Sequence, residues 1–306
     1  MAILVVALLT PYRAVAQVTP DVTEATIQGQ QIIDAANKAA QTGQRAAQTG
    51  GDIINGEAGI FVLTVNDIYS VSLSGGSGYT DNATRTADNL DKGYYSDFGL
   101  SAGISTKLAE KVDFGLSVTI GGREFADDIV PSNRTVSSNI SLGTKLGRTP
   151  LYFSVVGFGG YSFDSDFKNA NSFYGVSSTL SAIMPVGRAL FVRPSLGITR
   201  QMAGVSENNS TSVSGSLELV ARITPKLTGS LRAVVTGRLF DDFYEDVTFV
   251  ERQDTQYQLG GSLSYRLTKF ATLGASASYE KQDSTFFLSQ YKASDAAFGL
   301  SMRVQF

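Results

Sequence analysis

Residues 298–306 read FGLSMRVQF. Phe298, Leu300, Met302, Val304 and Phe306 alternate with Gly299, Ser301, Arg303 and Gln305. Successive side chains on a strand point to opposite sides, so a period of two marks a strand with one apolar and one polar face. The terminal strand of an ordinary domain trails a few frayed polar residues. Here the last residue is an aromatic on the apolar face, and Phe306 is expected to have a use of its own.

The same texture recurs through the chain from Ile60 onward. About twelve runs alternate in this way, near 68–79, 94–105, 111–123, 135–146, 150–162, 172–184, 189–201, 211–223, 226–240, 254–267, 269–280 and 295–306. Phe114, Leu116, Val118 and Ile120 are separated by Gly115, Ser117 and Thr119; Leu217, Leu219, Ala221 and Ile223 stand against Ser216, Glu218 and Arg222. The links between runs also alternate. KLAEK, LGRT, PVGR, TPK and LTK are short, whereas DNATRTADNLDKG, EFADDIVPSN, FDSDFKNAN, MAGVSENNS, DDFYEDVTFVERQ and KQDSTFFLSQYKAS are long and polar. Short turns at one end, long loops at the other and an even strand count describe a closed up-and-down barrel of the outer-membrane kind.

The reason is the solvent. In hydrocarbon every backbone amide must be paired, so a spanning sheet has to close on itself. About ten tilted residues cross the bilayer, which fits the run lengths. Outward positions meet acyl chains and are apolar; inward positions meet water and are Ser, Thr, Gly, Gln or Arg. Tyr79, Tyr94, Tyr95, Tyr161, Tyr174, Phe240, Tyr244, Tyr257 and Tyr279 fall near run ends, where an aromatic girdle is expected.

The closing alternation ending in Phe306 resembles the C-terminal signal of Gram-negative outer-membrane β-barrels of the β-barrel porin type. That resemblance implies that the barrel-insertion machinery recognises Phe298, Leu300, Met302, Val304 and Phe306, and that the protein resides in the outer membrane. It covers residues 60–306 as an architecture and rests on the last strand as a motif.

Composition narrows the chemistry. A mean hydropathy of +0.01 argues against a helical membrane protein. The chain has no Cys, no Trp and no His. Without Cys there is no disulfide framework or thiolate nucleophile. Without His there is no Ser–His–Asp triad and no imidazole ligand for zinc or haem. A formal charge of -3 gives no reason to expect a nucleic-acid partner. No cofactor, no metal and no enzymatic activity are expected.

Residues 1–16 carry an apolar run followed by Ala14-Val15-Ala16, the pattern of a signal peptide with Gln17 as first mature residue. Residues 17–59 are rich in Ala and Gln. Thr19-Pro20 and Asp21…Glu24 read as helix-start signals and Gly50-Gly51 as a stop. The expectation is an N-terminal helix, either plugging the lumen or standing in the periplasm, where it would contact a partner or a second copy.

By parity Arg123, Arg193, Arg222, Arg232, Arg238, Arg266, Arg303 and Lys145 point inward, against the acids Asp97, Asp113 and Glu218. Arg193, Arg222, Arg266 and Arg303 each lie close to a short turn and form a basic arc at that mouth. Guanidinium forks favour carboxylate, phosphate or sulfate; pairing with the acids, which would merely stiffen the wall, is the plainer reading. Loop acids such as Asp88, Asp127 and Asp246 are candidates for cation-bridged contact with lipopolysaccharide. The leading functional expectation is a porin for passive diffusion of small polar or anionic solutes. The alternative is a plugged structural or secretion-associated barrel, anchoring an envelope or polysaccharide-export assembly through its helix.

Overall fold

The computed structural model describes residues 69–83, 92–109, 112–126, 132–147, 149–164, 170–186, 189–204, 209–243, 251–268, 270–285 and 289–305. The expected signal peptide, the N-terminal helix, Tyr244 and Phe306 lie outside these residues.

Twelve long strands follow one another in chain order: β1 (Tyr69–Thr80), β2 (Gly93–Ala109), β3 (Val112–Phe125), β4 (Asn133–Lys145), β5 (Leu151–Asp164), β6 (Ala170–Ala182), β7 (Leu190–Ala203), β8 (Ser210–Arg222), β9 (Leu227–Phe243), β10 (Glu251–Arg266), β11 (Ala271–Ser284) and β12 (Tyr291–Gln305). Each pairs antiparallel with its chain neighbours, and β1 pairs with β12 through Val71↔Val304, Leu73↔Met302 and Ser77↔Phe298. The sheet is therefore a closed barrel without a free edge. A two-residue segment, Met184–Pro185, continues the β6 ladder on β7. The ladder breaks opposite Pro194, which has no N–H to donate.

Register fixes two faces. Leu73, Leu100, Ile120, Ile140, Val176, Ile198, Val213, Leu231, Leu259, Leu273 and Phe298 are exposed on the outside, one row after another. Between them Ser72, Ser101, Ser117, Ser141, Ser177, Ser195, Ser230 and Ser262 turn inward. Each outward Leu, Ile, Val or Phe would gain roughly 1.5–3 kcal/mol on leaving water. Only hydrocarbon around the whole circumference offers that gain, so the outer surface is built for a bilayer.

The short turns are stitched by threonine. Thr224 Oγ1 accepts from the N–H of Lys226 at 3.2 Å and of Leu227 at 3.0 Å. Thr268 Oγ1 does the same for Phe270 at 3.1 Å and Ala271 at 3.0 Å. A hydroxyl taking up N–H groups that the ladder cannot reach is the usual reason for Thr in a tight turn. At the β4–β5 turn Gly147 adopts φ 63°, a left-handed conformation that costs glycine little.

Two glycines are needed for packing. A Cβ at Gly76 would lie 2.7 Å from the Phe298 carbonyl oxygen and 3.2 Å from Gly299 Cα, so β1 and β12 close tightly at their seam. A Cβ at Gly143 would fall 1.8 Å from Tyr152 Oη. Gly143 thus leaves the floor on which the Tyr152 ring lies as it reaches Asp113, 3.1 Å away. The glycine-rich stretches at 75–78 and 157–160 sit inside β1 and β5.

Candidate lumenal site

Register carries the inward face across every strand. Arg123 pairs with Asn133 and Asp97, Arg193 with Glu218, Arg232 with Glu218 and Gly260, and Arg222 with Thr228. Arg238 stands opposite Asp254 and Ser212, Arg266 opposite Thr272, Arg303 opposite Ser72, and Lys145 opposite Tyr152. All eight expected cations therefore lie on the face away from the apolar rows, but they do not form a single group.

At the turn end lie Arg193, Arg222, Arg266, Arg303 and Lys145, on β7, β8, β10, β12 and β4. Arg222 and Arg266 are near enough for their charges to repel, and Arg266 Nη2 donates to the Pro225 carbonyl at 2.6 Å. Glu218, almost fully buried, lies directly between Arg193 and Arg232. Arg193 Nη2 stands 2.5 Å from its Oε2, an ion-pair contact off the line of a hydrogen bond. Asp113, opposite Lys107, accepts from Tyr152.

Arg123 and Arg238 belong to the other end. Arg123 holds Asp97 with two bonds, Nε–Oδ1 at 2.8 Å and Nη2–Oδ2 at 3.0 Å, and lies 3.8 Å over the Tyr95 ring. Arg252, which the alternation alone leaves in a loop, extends the β10 run at the loop end. It grips Asp254 at 3.1 and 2.6 Å and lies 4.2 Å over Phe240, the ring that Arg238 approaches at 6.0 Å.

The structure corrects three expectations. Inward acids are more numerous, because Asp254, Glu280 and Asp295 also face the lumen. The parity that places Arg266 inward places Asp254 inward too, so this is legible in the sequence. Second, Tyr95 and Phe240 are not girdle residues. Tyr95 is buried with its ring over Gly78, and Phe240 carries guanidinium groups on its face; Tyr94, Tyr161, Tyr174, Tyr257 and Tyr279 do point outward. Third, the long link at 241–253 is shorter than expected: β9 runs to Phe243 and β10 begins at Glu251. Asp241 is thereby held on the outer face, where Arg200 takes it in two bonds.

Phe298, Leu300 and Met302 are exposed on the outer face, and the Val304 backbone pairs with Val71. Hydroxyls bridge neighbouring strands inside: Ser195 to Ser216 at 2.7 Å, Ser230 to Ser262 at 2.8 Å and Thr199 to Ser177 at 2.9 Å. Among the described residues no group of His, Cys, Asp and Glu is arranged to hold a metal.

A closed twelve-strand barrel with an apolar exterior and a hydroxyl- and charge-lined interior defines the class, an outer-membrane β-barrel. Residues 198–306, the last five strands with the end of β7, match the family described as Putative beta-barrel porin 2. An outer membrane channel from Pseudomonas putida F1 aligns with a TM-score of 0.54 at 10% identity, over 79% of this chain and 97% of that one. The beta domain of the Bordetella autotransporter BrkA aligns at 0.48 and 14% identity, over 78% and 100%. The NanC porin aligns at 0.43 and 12%, over 75% and 98%. At such identities the likeness is one of fold alone. No curated protein matches the chain.

Proposed function

We propose that this protein is a non-enzymatic channel in the outer membrane of a Gram-negative bacterium, passing small polar or anionic solutes by passive diffusion. The observation that carries the reading is the lumen itself. Serine, threonine and glycine recur along its wall, and among the described residues Arg193, Arg222, Arg266, Arg303 and Lys145 outnumber the acids at the turn end. Small hydroxylated side chains leave room and offer hydrogen bonds to a passing solute, while a cationic mouth raises the local concentration of anions. In this reading the turn end opens to the periplasm, the long loops face outward, and lipopolysaccharide meets the outer rim. The insertion machinery reads the Phe298–Phe306 strand, residues 1–16 are removed on export, and residues 17–59 are separate from the barrel of 60–306.

Single-channel recording on the mature chain, with and without residues 18–52, tests this. Steady conductance from both proteins supports a porin. Conductance only after the deletion would replace the porin reading with the plugged barrel that anchors an assembly through its N-terminal segment.

A further inference from the structure

The lumen is not uniform along its axis. At the loop end, large inward-facing side chains are almost wholly buried, namely Arg252, Asp254, Glu280, Gln282 and Tyr291, as is Asn82 just past β1. At the turn end, the lumen-facing arginines keep partial exposure, as with Arg193 at 27%, and the groups buried there are Glu218 and the small Thr228 and Ser264.

The loop-end groups are hydrogen-bonded to one another and to nearby backbone. Asp254 takes the guanidinium of Arg252 and, on Oδ1, the hydroxyl of Ser284 at 2.6 Å. Glu280 accepts from the Tyr291 hydroxyl and from Gln256 Nε2, the latter at 2.7 Å. Gln282 Nε2 donates to the Ser289 carbonyl at 2.7 Å, and Asn82 Nδ2 to that of Lys292 at 2.8 Å. Arg123, Asp97 and Tyr95 continue the mesh across β2 and β3. Side chains of this size, each held by at least one hydrogen bond, take up cross-section that Ser and Gly leave open lower down. A satisfied polar network is also rigid. The acids Asp97, Asp254, Glu280 and Asp295 offset the local arginines, so this cluster has little net charge with which to sort ions.

We propose that this loop-end cluster on β2, β3 and β10–β12, with Asn82 just past β1, is the constriction of the channel. It selects by size, in series with the turn-end arginines, which select by charge. The proposal rests on the channel reading and adds where each kind of discrimination resides.

Swelling of proteoliposomes in neutral sugars of increasing size separates the two filters, because uncharged solutes ignore the arginines. Tyr291→Ser and Gln282→Ser, each confirmed as a barrel by heat-modifiable migration, should admit larger sugars and speed the entry of small ones about twofold or more. Glu280→Gln keeps the volume and should leave the size limit where it was. Arg222→Gln with Arg266→Gln should also leave it unchanged. An unaltered limit in both serine variants, or a shifted one in the arginine variant, overturns the proposal. A wild-type barrel closed to all sugars but opened by Tyr291→Ser would refute the open-porin reading while keeping the cluster as the barrier.

Discussion

Replacing Glu218 by Gln offers a sharp stability test, because its carboxylate faces a guanidinium on each side. Its side chain is 4% exposed, and Arg193, 27% exposed, stands 2.5 Å from it on β7; Arg232 is its register partner on β9. Gln keeps the shape but not the charge, leaving two inward cations without the carboxylate between them. Removing one partner of a buried pair costs about 3–5 kcal/mol. Partial exposure of Arg193 to lumenal water relieves some of that, giving an expected loss of about 2–3 kcal/mol. With a urea slope of ~2–3 kcal/mol per molar, the unfolding midpoint in lipid vesicles should fall by about 1 M, followed by loss of the heat-modifiable folded band. Adding Arg193→Gln should restore some of the loss, since the double change removes a repulsion as well as an attraction. If Glu218→Gln unfolds with wild type, the carboxylate is not the electrostatic link between β7, β8 and β9 that the register describes.

Arg222→Gln with Arg266→Gln removes two charges from the turn-end mouth. A charge about 8 Å from a passing ion contributes ~0.5 kcal/mol in water, roughly halved by 0.1 M salt. Two such losses act oppositely on anion and cation, so the permeability ratio measured from reversal potentials should drop about fivefold at 0.1 M salt and hardly at all at 1 M. An equal ratio at low salt would remove these arginines from selectivity. Gly143→Ala should displace Tyr152 from Asp113 and cost ~1–3 kcal/mol as overpacking; a chemical-denaturation midpoint equal to that of wild type would show that the ring has space to move. Leu196 and Ser195 are neighbours on opposite faces. Leu196→Arg should cost about 2–4 kcal/mol in lipid if it sits near the midplane, whereas Ser195→Arg should fold normally and lower conductance; the reverse pattern would mean the faces are inverted.

Much of the barrel is readable because lipid enforces a strict rule. A strand whose two faces meet hydrocarbon and water cannot slip by one residue without inverting both, so Phe114–Ile120 and Leu217–Ile223 announce their faces directly. Turn and loop lengths do the rest. The loop end is harder. Alternation fades where side chains of both faces become polar, which is why Arg252 and Asp241 read as loop residues although both lie on strands. Aromatic residues are ambiguous for a related reason: Tyr95 and Phe240 lie near run ends like Tyr94 and Tyr257. The parity that turns Asp97 and Arg238 inward turns Tyr95 and Phe240 inward as well, one under Arg123 and the other under Arg252, so nearness to a run end misleads where parity does not. Pairing also escapes a parity reading. The alternation puts Arg193, Arg232 and Glu218 on one face, but their juxtaposition depends on how β7, β8 and β9 are staggered.

The most direct test of the account is the reversal potential of the mature protein in a planar bilayer under a KCl gradient at low salt. An open barrel whose basic mouth outweighs its acids should shift the potential toward that of chloride, with the shift shrinking as salt rises. A potential at zero or toward potassium would contradict the anion-weighted channel, and no conductance at all would contradict the channel itself.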